Sequence, residues 1–311
     1  MSLVRPLAFF LVLTSIHRPA SAATDLRVRL FTRYQKGALT FGRADETKND
    51  VLVVYPAAVP AVGAAIQWNK MFTAGWSVSL PKTNFIDERL RGSRFQHLEA
   101  HSTPSPFAFD AHYLRYEGLF AAKESKIDIR PFQDSLFKGN QGATAFPGMT
   151  MESFSGGAIY NFDDDRVKFG ALLNQSTRPG ESGLARCLVS QIREARFKNN
   201  RSLDSSVLDH SSGRMQAVAL GPGIAAQYVD GDRYIGGVGF VAPAYSRSRI
   251  SGQSAHDGFA TFLKIRGSLG FNDGLRAWGL SGNKSLLTID RRDMSMTDSV
   301  SSIELFYLAS Y

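Results

Sequence analysis

The sequence predicts an all-β chain: an antiparallel, up-and-down transmembrane β-barrel of about twelve strands. Three observations point there. Apolar residues recur at every second position over long stretches, the chain ends on an alternating segment that stops at an aromatic residue, Tyr311, and aromatic side chains gather beside the turns. A strand presents one face at each second residue, whereas a helix would bring its apolar residues round every three or four.

The N-terminus is set aside first. Arg5 supplies a positive charge, residues 7–16 (LAFFLVLTSI) form a short apolar run, Pro19 breaks it, and Ala20-Ser21-Ala22 places small residues where a signal peptidase cuts. A signal peptide over 1–22 and a single β-barrel domain over 23–311 are therefore expected, in an exported protein. No later run reaches the roughly 18 apolar residues of a membrane-spanning helix.

The alternation then begins. Val62, Ala64, Ile66 and Trp68 face one way and Gly63, Ala65 and Gln67 the other; after Asn69-Lys70-Met71, the stripe Phe72, Ala74, Trp76, Val78 and Leu80 returns as the second arm of a hairpin. Phe154, Gly156, Ala158, Tyr160 and Phe162 repeat the pattern. Beyond Asp163-Asp164-Asp165, the residues Val167, Phe169, Ala171 and Leu173 read as the next outward stripe, which puts Asn174 and Ser176 on the lumen side. Asp230-Gly231-Asp232 and Asn272-Asp273-Gly274 are turn sequences, since Asp, Asn and Gly tolerate the positive φ of tight hairpins. Only residues 185–197 hint at helical periodicity.

Alternation alone fits a soluble sandwich as well as a barrel. The last segment separates them: Ile303, Leu305, Tyr307, Ala309 and Tyr311 share one face, as in the final strand that the barrel-assembly machinery reads in bacterial outer-membrane barrels, with Tyr in place of the usual Phe. Trp68, Phe72, Phe107, Tyr113, Tyr160, Phe162, Tyr228, Tyr234, Phe271 and Trp278 lie near turns, where the girdles of a barrel would hold them.

Composition sets further bounds. The single cysteine, Cys187, excludes an intramolecular disulfide. The net charge of +8 falls to about +6 when Arg5 and Arg18 leave with the leader, and the cations are scattered, with Arg291-Arg292 the one adjacent pair after it. No polybasic arm points to nucleic acid; solvated loops, or contact with an anionic glycolipid, account for the excess.

Few residues carry candidate chemistry. Ser176, in LLNQSTRPGESG, is the one candidate nucleophile, and Pro179-Gly180 reads equally as a plain turn. Asp110, His112 and Glu117 are candidate lumen charges. His97 and His101 lie four apart, about 13 Å along a strand, too far to share a metal's first shell. Asp163-Asp164-Asp165 lacks the spacing of a calcium loop, and no cofactor or metal is expected.

Tyr55-Pro56, Gly63, Asp110, Tyr113, Tyr116, Glu117, Gly118, Gln175 and Ser182-Gly183 together resemble the landmarks of a bacterial envelope family known only as a domain of unknown function, over residues 51–311. The resemblance implies an outer-membrane β-barrel and brings no catalytic residues. Residues 174–176 are also similar to the His-Gln-Ser strand of outer-membrane phospholipases, but Asn174 stands where the base would be, and an amide cannot accept the serine proton. The expected role is structural, binding or transport in the outer membrane, with membrane lipid and the assembly machinery, engaged through Tyr311, as partners. An outer-membrane lipid hydrolase using Ser176 and a soluble periplasmic β-protein binding a lipid or glycolipid are the alternatives.

Overall fold

The computed structural model describes residues 25–43, 51–56, 59–80, 93–124, 144–199, 212–250, 254–290 and 294–310. Residues 1–22, expected to be a signal peptide, and Tyr311 lie outside the described residues.

Strong alternation produces long strands. These are β1 (Leu26–Arg43), β2 (Val51–Pro56), β3 (Val59–Trp68), β4 (Phe72–Ser79), β5 (Arg94–Ser102), β6 (Phe107–Glu124) and β7 (Thr144–Asn161); then, after one short helix α1 (Phe169–Leu173), β8 (Gly183–Lys198), β9 (Ser212–Asp230), β10 (Arg233–Ile250), β11 (His256–Asn272), β12 (Arg276–Asp290) and β13 (Met294–Ser310). Each strand pairs antiparallel with its neighbours, and β13 returns to β1 in unbroken register from Arg27↔Ser310 to Arg43↔Met294, so the sheet closes.

The ring does not have the same number of strands throughout. At the end that holds Leu26 and Ser310, β1 is followed by β3, β4, β5 and β6, making twelve strands in all. At the other end β2 runs directly between β1 and β6, beyond the short β4 and β5, and the ring has ten. Because barrel width grows with strand number, the lumen narrows from the terminal end to the loop end. Both β2 and β3 pair with β1, but on their other side β2 meets β6 and β3 meets β4.

Tight turns gather at the terminal end. Gly231 and Gly274 take φ of 61° and 93°, the left-handed conformations expected of their turns, and Asn69 and Lys70 take 49° and 57° in the β3–β4 hairpin. The loop end holds several longer connections, among them the one between β6 and β7 over residues 125–143, while the stretch from β7 to β8, residues 162–182, which carries α1, is longer still and lies at the terminal end.

The closed sheet turns its apolar stripe outward. On β9, Val218, Leu220, Ile224 and Tyr228 are about 60 % exposed while Ala219 and Ala225 between them are at most 1 % exposed. Ten residue steps at ~3.4 Å, tilted by ~40°, give this stripe a height of about 25 Å, the thickness of a membrane barrel's apolar band. The same stripe continues round the ring through Ile235, Ile265, Leu280, Leu305, Leu30, Ile66, Trp76 and Leu98, all exposed. Trp68, Phe107, Phe162, Tyr228, Trp278 and Tyr307 form an exposed aromatic girdle near the terminal end.

Three expectations need correction. Val167, Phe169, Ala171 and Leu173 are not an outward stripe: they lie in and beside α1, buried at the floor of the lumen. Residues 185–197 belong to strand β8, their inward positions alternating strictly with exposed ones. Tyr234 is buried inside, not in a girdle.

A cation in the middle of the outward stripe has no partner and displaces an apolar contact with lipid. Ile224→Arg should destabilise the barrel by about 2–4 kcal/mol, whereas Tyr228→Arg, at the band's edge, should cost about 1 kcal/mol or less. Reversible guanidinium unfolding of the protein in phospholipid vesicles measures both; equal effects would remove the membrane assignment of this face.

Candidate functional site

Inward positions in a closed ring of this size converge on one another, and here many of them are ionic. Arg29 and Arg33 project from β1, His97, Glu99 and His101 from β5, Asp110 and His112 from β6, Gln191 and Arg193 from β8, Lys264 and Arg266 from β11, and Asp298 and Glu304 from β13. A charge removed from water must be paired or hydrogen-bonded to be tolerated: Arg29, Arg33, Arg193 and Lys264 each meet a carboxylate, and Arg266 bonds a backbone carbonyl and His101.

Arg33 is the hub. Its Nη2 lies 2.6 Å from both Glu99 Oε2 and Glu304 Oε2, its Nε donates to Glu304 Oε2 at 2.9 Å, and its Nη1 faces His97 Nδ1. Arg29 Nη2 takes the other Glu304 oxygen at 2.5 Å. The two guanidinium groups also stack on aromatic rings, Arg29 at 4.7 Å from Phe306 and Arg33 at 4.8 Å from Phe31. Higher in the lumen, Arg193 Nε donates to Asp298 Oδ2 at 2.6 Å and Nη1 to Ser285 Oγ at 2.7 Å, beside Gln35 and Tyr116.

A second line of groups runs from this hub. His97 Nε2 is 3.2 Å from His112 Nδ1, and His112 Nε2 is 3.5 Å from Asp110 Oδ2, which also pairs with Lys264. The ends of the line fix the proton positions. Arg33 can only donate, so His97 Nδ1 accepts; for neutral rings His97 then carries its proton on Nε2 and passes it to His112 Nδ1, leaving the His112 proton on Nε2, toward the carboxylate. His101 closes the group from below, its ring centroid 5.0 Å from that of His112 and its Nδ1 3.5 Å from Arg266 Nη1.

His97, Glu99 and His112 bring ligand atoms within 4.8 Å of one another, a donor set with some affinity for zinc. Arg33 stands against two of the three, so a divalent cation there would sit beside a fixed positive charge. The arrangement is an ion-paired network around a cavity of about 60 Å³, room for about four waters. Among the described residues Glu99 Oε1, Asp298 Oδ1, Gln35 Oε1 and Arg29 Nε have no hydrogen-bond partner, so the network can still bind water.

Below the network a floor crosses the lumen. After β7, Asn161 Nδ2 bonds the Val167 carbonyl at 2.7 Å, and α1 with the residues after it is held from the wall. Arg266 donates to Leu173 O at 2.5 Å, Ser268 to Leu172 O at 3.0 Å, Gln67 to Asn174 O at 2.6 Å, Arg27 to Ser176 O at 3.1 Å, and Asn272 to Gln175 O and Thr177 O at 3.1 and 2.9 Å. These donors supply partners to carbonyls that a helix end leaves open. Gly236 makes space: a Cβ there would lie 2.5 Å from Leu172 Cδ1.

The candidates from the sequence fall in different places. Asp110 and His112 do face the lumen, in the network. Glu117 does not: beside fully buried Tyr116, it turns outward and pairs with Arg115 at 2.7 Å, both side chains over 40 % exposed. Ser176 is buried in the floor, its Oγ donating to the Gly170 carbonyl at 3.1 Å, a bond that fixes the turn and directs the hydroxyl at an oxygen that cannot act as a base. Cys187 is a buried free thiol on β8. The hub residues Arg29, Arg33, Glu99, Lys264 and Glu304 were not singled out from sequence; the signal available was a charged residue at an inward position of a predicted strand.

No family model matches the chain, and no curated protein matches it. Among solved structures, the outer membrane protease OmpT from Escherichia coli is similar over 94 % of this chain and 99 % of that one, at 8 % identity and a TM-score of 0.43. The β domain of the Bordetella autotransporter BrkA is similar over 93 % and 100 %, at 10 % identity and 0.41. The translocator domain of the autotransporter NalP from Neisseria meningitidis is similar over 97 % and 94 %, at 10 % identity and 0.36.

The Arg193–Asp298 pair offers a clean test of how the lumen is held. Arg193→Met leaves Asp298 buried without its partner and should cost about 3–5 kcal/mol, while adding Asp298→Leu should recover most of the loss. Guanidinium midpoints of the two variants measure this, and a double variant less stable than the single would show that the pair itself carries the stability.

Proposed function

We propose that the chain is an outer-membrane β-barrel with an occluded lumen, which serves as a membrane-anchored binding or structural element and not as an open diffusion pore. One observation carries this reading: the floor formed by residues 167–177 lies across the barrel and is hydrogen-bonded by side chains of β1, β3 and β11. The exposed apolar stripe supports the membrane setting, since a soluble protein would bury it. The tight turns at the terminal end and long connections at the loop end fit the periplasmic and external sides of such a barrel. Membrane lipid is then its immediate partner, and the segment of β13 that leads to Tyr311 is the one the assembly machinery would read.

The hydrolase reading draws no support from Ser176, whose hydroxyl is spent on a backbone carbonyl. In its place the network gives the lumen a structural use. Fixed ion pairs fill it at mid-height, and a small, polar-lined cavity lies between them.

In planar bilayers the protein should show no stable unitary conductance. Replacement of residues 167–177 by a Gly-Ser linker of equal length should produce steps that the intact chain lacks. Large, long-lived steps from the intact protein would overturn the occluded reading.

A further inference from the structure

Strand register places an unusual row of charges on the outer surface of the barrel near its loop end. Glu152 on β7 stands opposite Arg196 on β8, Arg196 opposite Arg214 on β9, and Arg214 opposite Arg249 on β10. All four are outward positions, so three arginines sit side by side on consecutive strands. Adjacent strands are about 4.8 Å apart, which puts the outer two within about 10 Å. Like charges directly opposite in a sheet repel and are destabilising.

Among the described residues only part of this row is compensated. Glu194, one pleat toward the apolar band, pairs with Arg196 and lies 2.7 Å from Arg214 Nη2. Among the described residues neither Arg249 nor Lys198, which lies one pleat further toward the loops, has a carboxylate partner. A cavity of about 580 Å³ opens here, lined by Arg196, Lys198, Arg214 and Arg249 against the single carboxylate of Glu152. The next row toward the band is balanced: Glu194, Gln216 and Arg247 lie across from one another, and Arg247 pairs with Asp257 at 3.6 Å.

Depth matters as much as charge. Arg214 lies four residues beyond Val218, and Arg249 four beyond Tyr245, both apolar residues exposed on the outer face. The arginine row therefore sits just past the edge of the apolar band, at the level where lipid headgroups carry their phosphates. On the opposite arc the outward cations are not contiguous: Ser301 of β13 separates Lys36 of β1 from Lys284 of β12, and Ser299 lies between Ala38 and Leu286.

We propose that Arg196, Lys198, Arg214 and Arg249 form a binding site for the phosphate groups of a phosphorylated glycolipid of the outer leaflet. The inference rests on the outer-membrane reading above. Guanidinium groups bind phosphate bidentately, and one phosphate between neighbouring strands turns a repulsive pair into two charge-assisted hydrogen bonds. A glycolipid with more than one phosphate spans the row.

Fluorescent phosphorylated lipid A, its dephosphorylated form, and phosphatidylglycerol can be titrated into the full-length protein in maltoside micelles. The expected result is saturable binding of phosphorylated lipid A, weakened at least tenfold by Arg214→Gln with Arg249→Gln, and weakened severalfold by Arg249→Gln alone. Arg247→Gln, from the balanced row, should change it less than twofold. Equal binding of phosphatidylglycerol, equal binding of the dephosphorylated lipid, or an equal loss in Arg247→Gln would each overturn the site. A heat-dependent gel shift, read on every variant, reports folding; should the double variant fail to fold, the single Arg249→Gln decides. A wild-type chain without that shift sinks the membrane reading and the site with it, whereas a shifted chain that ignores phosphorylated lipid overturns the site alone.

Discussion

The pairing of β1 with β13 is the constraint on which the remainder depends. In hydrocarbon, an unpaired backbone N–H or C=O costs several kcal/mol, so a sheet that crosses a membrane must have no edge. The seam meets this in unbroken register over the whole length of β1. Closure then fixes, for every strand at once, which residue parity meets the surroundings and which meets the lumen. A one-residue slip anywhere would exchange Ile224 for Ala225 and Arg33 for Tyr34.

The hub lies beside that seam. Arg29 and Arg33 come from β1 and Glu304 from its seam partner β13, while Glu99 arrives from β5 across the lumen. Arg33 therefore ties the first and last strands to the opposite wall. The taper decides what fills the remaining space. Toward the ten-strand end the inward residues include Leu39, Leu119, Met149 and Met296, with Met151 and Phe197 at the transition, all nearly fully buried, and the lumen packs like an ordinary core. Methionine suits such a site because its flexible thioether fills irregular gaps. Where the ring widens to twelve, apolar side chains would leave a void, and long charged ones reach across it.

The barrel was legible in the sequence because lipid inverts a familiar pattern without erasing it: Val218 to Tyr228 alternate as cleanly as a soluble strand. The floor was misread for a physical reason. Val167, Phe169, Ala171 and Leu173 have strand periodicity, but the segment is one turn of helix buried on all sides, and a short element wholly surrounded by protein shows no period. His97 and His101, four apart on one strand, are brought into one group by His112, placed opposite Glu99 by the β5–β6 register. Glu117 was assigned inward although it differs in parity from Asp110 and His112, the two lumen charges on the same strand. The β6–β7 register runs without a shift from Phe107 to Glu117, so parity alone would have placed it.

The floor also bears on transport. Six side-chain hydrogen bonds from the wall hold its carbonyls, each worth about 0.5–1.5 kcal/mol. Phe169, Leu172 and Leu173 are buried with it, at about 1.5–3 kcal/mol for each such side chain. Moving the segment aside thus costs on the order of 10 kcal/mol, comparable to the stability of a whole small domain. Thermal opening on that scale is negligible. Passage through this lumen would need a partner that binds the displaced floor more tightly than the wall does, because only a difference in affinity between the two states can shift them.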